Sequence, residues 1–204
     1  MATSPNRFRN ITLRVRVVAV DDGTLPRSTE KTSQRVLLLA VLFENLRILK
    51  IRTGSITIDG TDANDAVVHL LKSIRSDFDA VMLSSISLGG FNLVNMPLLA
   101  HDVGKPVIAI TREKPNNNAV RRALLDHFTD WRERWATVVA AGPVYSCKPM
   151  LGEPKLYYEV KGASPAFARH LIKATAAISR LPEPIRVARI LARGLSTQIE
   201  TTMT

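Results

Sequence analysis

The feature that most constrains the fold is a change in hydrophobic period near residue 60. Three apolar segments precede it, at residues 11–20, Arg35–Glu44 and 46–58, and each alternates or runs continuously as a strand does. After it, Ala63, Val67 and Leu70 fall on one face of a helix, for which Thr61 is the expected N-cap. Three strands followed by βα units predict a mixed sheet covered by helices.

The rest of the chain continues in βα units. Strands are predicted at residues 80–83, 105–110 and 157–160, and helices at 96–102, 120–139, 164–178 and 185–195. Gly54 predicts a bulge in the third strand, and Gly194 a place for the last helix to end. This order is that of ribonuclease-H-like folds, with helices on both faces of the sheet. We expect one domain over residues 1–204, with residues 1–10 a flexible basic tail.

The charge of the chain indicates a polyanionic partner. The net charge is +10, and the 19 arginines outnumber the nine lysines. Residues 161–199 carry seven basic side chains against one acid, Glu183. Guanidinium groups suit bidentate phosphate contacts, so DNA or RNA is the expected partner. Two alternatives stay open, a docking surface for an acidic protein and a basic surface that only keeps the protein in solution.

Several other classes of protein are excluded or disfavoured. Cys147 is the only cysteine, which excludes an intrachain disulfide and a CxxC zinc site. No apolar run approaches the roughly 20 residues of a membrane span, and the first ten residues lack the apolar stretch of a signal peptide. We therefore expect a cytoplasmic protein with no membrane contact. Aromatic residues make up only 5%, which disfavours a base-stacking platform.

Two groups of aspartates are candidates for chemistry. Asp21 and Asp22 end the first strand, while Asp59, Asp62 and Asp65 surround the start of the first helix. If strands one and three are neighbours, these carboxylates meet at one edge of the sheet. Oxygen ligands of this kind suit Mg²⁺ or Mn²⁺ and metal-assisted phosphodiester hydrolysis. The alternative is ordinary, since Asp-Gly is a turn dipeptide and acids are common in a first helical turn.

Four segments carry a resemblance to a known family. They are VAVDDG at residues 18–23, DAVMLSSISLGGFN at 79–92, GKPVIAI at 104–110 and RLPEPIRVAR at 180–189. With these segments the chain resembles a mostly archaeal family of uncharacterised proteins, domain of unknown function ninety-nine, over about residues 14–195. That family is itself similar to endonuclease V.

The resemblance implies specific site residues. Endonuclease V cuts DNA or RNA near deaminated adenine with Mg²⁺ held by carboxylates on a ribonuclease-H-like sheet. Its first aspartate corresponds to Asp21, and its glutamate falls nearest Asp62, although Asp59 or Asp65 could serve. Its second aspartate falls on Ser84, and its late histidine or aspartate on Arg189. Asp21, Asp62 and Ser84 are therefore the expected catalytic residues, converging at one edge of the sheet, with Asp21, Asp62 and Asp22 as metal ligands.

Two of these positions lose a metal ligand. A serine hydroxyl is a weak neutral ligand, and a guanidinium repels a cation. Arg189 could instead neutralise Asp21 or Asp62, or hold a phosphate. We expect a nucleic-acid-binding protein with weakened or lost metal-dependent cleavage, the alternative being an active Mg²⁺-dependent endonuclease on deaminated or structured DNA or RNA. The expected nucleic-acid contacts are Arg180, Arg186, Arg189, Arg193, Phe91 and Asn92.

Overall fold

The computed structural model describes residues 14–25 and 34–202, with side chains described as far as residue 196. The predicted basic tail lies outside these ranges. Seven strands form the main sheet: β1 Arg16–Asp22, β2 Arg35–Glu44, β3 Arg47–Thr57, β4 Ala80–Leu83, β7 Val107–Thr111, β8 Tyr145–Cys147 and β9 Leu156–Lys161. Two short strands, β5 Ser87–Leu88 and β6 Asn92–Leu93, form a separate hairpin. The helices are α1 Ala63–Ser73, α2 Met96–Val103, α3 Asn117–His127, α4 Trp131–Ala140, α5 Pro165–Thr175 and α6 Glu183–Thr202.

The main sheet is mixed, as predicted. Its strand order is β3-β2-β1-β4-β7-β9-β8. The neighbours β1, β4 and β7 are parallel, whereas β2, β3, β9 and β8 join by antiparallel pairing. The C-terminal ends of β1 and β4 therefore lie side by side at one edge of the sheet. Among the helices of the described ranges, none is long and apolar enough to cross a membrane.

The sheet separates two hydrophobic cores, because successive side chains of a strand point to opposite faces. Val18 and Val20 of β1 pack with α1 and α2, while Val17 and Ala19 pack with α5 and α6. Helices therefore cover both faces, as predicted. This alternation also directs the side chains of Asp21 and Asp22 to opposite faces at the end of β1.

The strand predictions need two corrections. Strands β1 and β3 are not neighbours, because β2 lies between them and β3 is an edge strand. The predicted bulge at Gly54 is wrong, since Gly54 pairs regularly with Leu38. The irregularity lies between Leu42 and Phe43 of β2, where Leu49 of β3 is the extra residue. The short strands β5, β6 and β8 were not predicted, because two or three residues are too few to show a period.

The helix predictions also differ at their ends. The N-cap of α1 is Asp62 and not Thr61. The predicted helix 120–139 is two helices, because Phe128 adopts an extended conformation and its ring packs against Phe91. Helix α5 ends at Thr175, before residue 178. Helix α6 begins at Glu183 and runs through Gly194 to Thr202, so the glycine does not end it.

Candidate active site at the strand ends

Two predicted residues meet where β1 and β4 end. Asp21 is 2% exposed, and its Oδ1 accepts a hydrogen bond from the hydroxyl of Ser84, which follows β4 directly. The backbone N–H of Ser84 donates to the carbonyl of Val20 over 3.1 Å, which continues the parallel pairing by one residue. The predicted contact between Asp21 and Ser84 is therefore present in the structure.

Arg189 of α6 occupies the other side of the Asp21 carboxylate. Helix α6 packs on β1 and β2, and Nε of Arg189 lies 3.3 Å from Oδ2 of Asp21. The backbone N–H of Asp22 donates to Oδ1 of Asp21 over 3.0 Å. Both carboxylate oxygens of Asp21 thus have partners within the protein. Of the two carboxylates that Arg189 was expected to neutralise, it pairs with Asp21.

Asp22 brings a second carboxyl group to the same strand end. Its Oδ2 accepts the backbone N–H of Gly89 over 2.8 Å. The pKa of Asp22 is raised to about 6: burial raises it most, the hydrogen bond from Gly89 opposes this, and the negative charge of Asp21 adds to the rise. We call Asp21, Asp22, Ser84 and Arg189 the strand-end site.

Asp62 has different partners from those of the strand-end site. Its carboxylate accepts hydrogen bonds from the backbone N–H of Thr57 at 3.1 Å and the Thr57 hydroxyl at 3.0 Å, and from Asn92. Arg35 lies 3.4 Å away. Burial acts to raise the pKa of Asp62, but the hydrogen bonds from Asn92 and Thr57 outweigh it and lower the pKa. Asp62 shares no hydrogen-bond partner with Asp21: it lies at the start of α1, after β3, and β2 separates β3 from β1.

The structure also shows the surroundings of Asp59 and Asp65, the two alternatives to Asp62. Oδ1 of Asp59 accepts the backbone N–H of Phe91 over 2.8 Å, and Asp65 is exposed in the first turn of α1. Of the three expected catalytic residues, the structure therefore brings Asp21 and Ser84 together and places Asp62 at the β3–α1 junction.

The GGFN segment ties the β5–β6 hairpin to that junction. Gly90 has φ +83°, and a Cβ atom there would lie 2.2 Å from Oδ1 of Asp59, so the position requires glycine. Asn92 is fully buried, accepts the backbone N–H of Ala63 over 2.9 Å and donates to the carbonyl of Thr57 over 2.9 Å. The expected contact of Asn92 with nucleic acid rests on the sequence alone, whereas its contacts in the fold hold the start of α1.

Arg134 of α4 is a residue that the sequence analysis missed. Its guanidinium donates to the backbone carbonyls of Gly60 at 2.9 Å, Phe91 at 2.7 Å and Asp59 at 2.9 Å. Its Nε lies 2.9 Å from Asp130. The only available signal was an Asp–Arg pair spaced four residues apart inside a predicted helix, which is common on exposed helix faces.

The arginines expected to contact nucleic acid differ in how far they are engaged within the protein. Arg180 donates to the backbone carbonyl of Lys155 over 2.8 Å, and Arg186 forms a two-point ion pair with Glu183 at 2.6 and 2.7 Å. Arg189 keeps 31% of its side chain exposed beside Asp21. It lines a cleft of about 290 Å³ with Ser84, Ser85, Thr111 and Arg112, which we call the Arg189 cleft.

The donor set does not fit the metal site that the resemblance implies. Within residues 14–25 and 34–196, no group of three or more His, Cys, Asp or Glu side chains could hold a metal ion. A hydroxyl and a guanidinium stand on either side of Asp21, at the two positions where the resemblance predicts that metal ligands have been lost.

Comparison with known proteins places the chain in a family. The family model described as endonuclease dU matches residues 14–196. A UPF0215 protein from Thermococcus gammatolerans is 34% identical over 192 residues, which cover 93% of this chain and 96% of the relative. The chain belongs to the endonuclease dU family. The predicted relationship to a mostly archaeal family is thereby confirmed.

Solved structures confirm the predicted endonuclease V-like fold. A protein of unknown function from Archaeoglobus fulgidus matches with a TM-score of 0.77 and 24% identity over 89% of this chain and 98% of that one. Ciona intestinalis endonuclease V, solved with a 24mer DNA containing an inosine, matches with a TM-score of 0.59 and 12% identity over 93% and 89%. Identities this low establish the fold alone.

Proposed function

We propose that this member of the endonuclease dU family binds nucleic acid at the strand-end site and that its metal-dependent cleavage is weakened or lost. One observation carries the proposal: the ion pair between Arg189 and the buried Asp21, with Ser84 on the other carboxylate oxygen. A carboxylate already neutralised by a guanidinium is a poor ligand for a divalent cation. The same guanidinium, which is partly exposed in the Arg189 cleft, suits a backbone phosphate.

The family description and the Ciona complex support a polynucleotide ligand. The family model is named for an endonuclease acting on deoxyuridine, and the Ciona protein was solved with an inosine-containing DNA. The net charge of +10 favours the same class of ligand, because phosphate neutralisation releases counterions and drives binding. A protein of this charge should bind strands whether or not it cuts them.

The test combines binding and cleavage on one uracil-containing strand. Binding is measured by fluorescence anisotropy in EDTA over a salt series, and cleavage on a gel with Mg²⁺ or Mn²⁺. We expect log affinity to fall linearly with log salt, with a slope of about −0.7 for each phosphate contacted on a single strand, and very slow cleavage. Asp21→Ala serves as the blank for cleavage.

A second candidate function is active cleavage of uracil-containing strands. The observation in its favour is that the negative charge of Asp21 raises the pKa of Asp22, so both carboxyl groups act at the end of β1 even though their side chains point to opposite faces, and a cation there would lower this repulsion. Efficient cutting by the parent that disappears in Asp21→Ala would establish this candidate and refute the proposed loss of chemistry. Binding that does not depend on salt, or no binding at low salt, would instead favour an acidic protein as the partner.

A further inference from the structure

Five strand termini lie in a row along the sheet edge that carries the strand-end site. Strands β1, β4 and β7 are parallel and end there, while β9 is antiparallel to β7 and begins there. Strand β8 also ends at this edge, because Cys147 pairs with Leu156 at the start of β9. From β1 to β8 the row spans four strand spacings, about 19 Å between strand axes.

Basic side chains occupy the part of this edge that lies beyond β4. Arg112 comes directly after β7, Lys155 directly before β9 and Lys148 directly after β8, and all three are exposed. Arg180 holds the first two segments together, since it donates to the backbone carbonyls of Arg112 at 3.4 Å and Lys155 at 2.8 Å. Arg112 also lines the Arg189 cleft. The basic side chains therefore begin at the cleft where phosphate binding is proposed and lead away from it.

Helix α5 brings two further cations to the end of β8. Arg169 and Lys173 are four residues apart on this helix, so they lie on one side of it, and both are exposed. Burial raises the pKa of the Cys147 thiol, while the charges of Lys173 and Arg169 oppose the rise, which places both cations near the end of β8. We call the five exposed cations the basic edge: Arg112, Lys148, Lys155, Arg169 and Lys173.

The acids of this region do not neutralise the basic edge. Residues 145–180 hold six lysines and arginines against two acids, Glu153 and Glu159, and Glu159 is buried on the sheet face opposite to α5. Glu113 is 90% exposed and lies 3.6 Å from Arg180. Among the residues that the structure describes, no carboxylate forms an ion pair with any of the five cations.

An unneutralised row of ammonium and guanidinium groups fits the phosphates of a duplex. In B-form DNA the phosphates of one strand follow each other about every 3.4 Å along the helix axis, so about 19 Å corresponds to five or six phosphates. Contacts of this kind position a duplex without reading its bases. The basic edge therefore suits the double-stranded flank of a ligand that also has a phosphate at Arg189.

We propose that the basic edge is a second contact surface, which binds the backbone of a double-stranded flank beside the strand-end site. This inference rests on the proposed nucleic-acid binding and names the class of ligand, a strand that continues into a duplex on the β8 side of the site. On the other side of β1, Arg35 begins β2, but it already lies 3.4 Å from the carboxylate of Asp62. A duplex on that side should therefore contribute less.

The experiment uses three ligands that contain the same short single strand with one uracil. One ligand is this strand alone, and the other two continue on its 5′ or its 3′ side into a duplex of about 12 base pairs, which is longer than the basic edge. Binding is measured by fluorescence anisotropy in EDTA over a salt series. The test variant is Lys148→Gln with Lys155→Gln. The matched control is Arg47→Gln with Lys72→Gln, which removes the same charge from two exposed residues, at the start of β3 and in the last turn of α1.

We expect a duplex on one of the two sides to tighten binding to the parent, and the test variant to lose most of that gain. With this ligand, the slope of log affinity against log salt should become shallower by about 1.8, or 0.9 for each of two lost phosphate contacts. The single strand alone should bind the test variant as it binds the parent, and the control variant should keep the gain.

Equal slopes for the parent and the test variant, or an equal loss in the control variant, overturn the inference and leave the proposed binding intact. If neither duplex tightens binding to the parent, the inference is also wrong, and an acidic protein becomes the expected partner of this surface. Failure of every ligand to bind the parent overturns both the inference and the proposed function.

Discussion

Replacing Arg134 of α4 with methionine should lower the stability of the protein markedly. The guanidinium is buried, with 9% of the side chain exposed, and supplies hydrogen bonds to three backbone carbonyls and to Asp130. Methionine has similar length but donates none of them. A carbonyl left without a donor where water cannot reach it costs about 1–3 kcal/mol.

The loss should amount to about 3–5 kcal/mol of the free energy of unfolding. That range lies below the sum for three carbonyls at the upper figure because water can reach part of the opened space, and it matches the cost of breaking a buried charged network. The matched control is Arg132→Met, which removes an exposed arginine of the same helix whose guanidinium lies 4.7 Å from the Trp131 ring centroid. Its cost should stay near 0.5–1 kcal/mol, the value of an exposed cation–π contact.

The assay is urea unfolding followed by circular dichroism, with parent and variants at one pH and salt. A lower urea concentration at the midpoint, with an unchanged dependence of the free energy of unfolding on urea, would show that only the stability has changed. If the two variants lose the same free energy of unfolding to within about 0.5 kcal/mol, Arg134 does not hold the Asp59–Gly60 loop and the Phe91 loop together. The account of how the junction is positioned would then be wrong.

Three further predictions concern the buried acid Glu159, the strand-end site and Asn92. Since the folded pKa of Glu159 is raised from 4.5 to about 7, its neutral form stabilises the fold fully below pH 4.5. This stabilisation, about 3 kcal/mol from the shift, is lost as pH rises through 7. Chemical unfolding should show it in the parent and not in Glu159→Gln, and identical pH profiles would contradict it. The double variant Ser84→Asp with Arg189→His should bind Mn²⁺ more tightly than the parent and cut uracil-containing strands faster, with each single change doing less. Titration calorimetry and a cleavage assay measure this, and a folded double variant that binds no metal would show that these positions do not correspond to metal ligands. Asn92→Ala should destabilise by about 2–3 kcal/mol because it leaves the carbonyl of Thr57 and the N–H of Ala63 without partners, and a loss no larger than that of the exposed Asn118→Ala would contradict this role.

The class of fold could be predicted from the sequence because the pattern of buried residues within each strand or helix depends on that element alone. Alternation in Arg35–Glu44 and the helical spacing of Ala63, Val67 and Leu70 record which face of each element is buried. The family motifs went further and marked Asp21 and Ser84, which lie at the ends of two strands that prove to be parallel neighbours. For Asp21 and Ser84, the positions marked by the motifs are therefore neighbours in the sheet as well.

The partners of each carboxylate were decided by the tertiary structure. The sequence could not show that β2 separates β1 from β3, because strand order depends on how several elements pack and not on any one of them. With this strand order, Asp62 forms hydrogen bonds with Thr57 and Asn92. Asp21 instead contacts Ser84 and pairs with Arg189, which is 168 residues away along the chain.

The sequence by itself determined most of the longer strands and helices, the mixed sheet with helices on both faces, and the family. Only the tertiary structure decided that Arg134 is buried against three backbone carbonyls and that Glu159 is a buried acid. Neither residue differs in type or spacing from a surface residue of its own helix or strand. Their burial comes from elements distant in the chain, and it is burial that raises the pKa of Glu159 and makes the hydrogen bonds of Arg134 costly to lose.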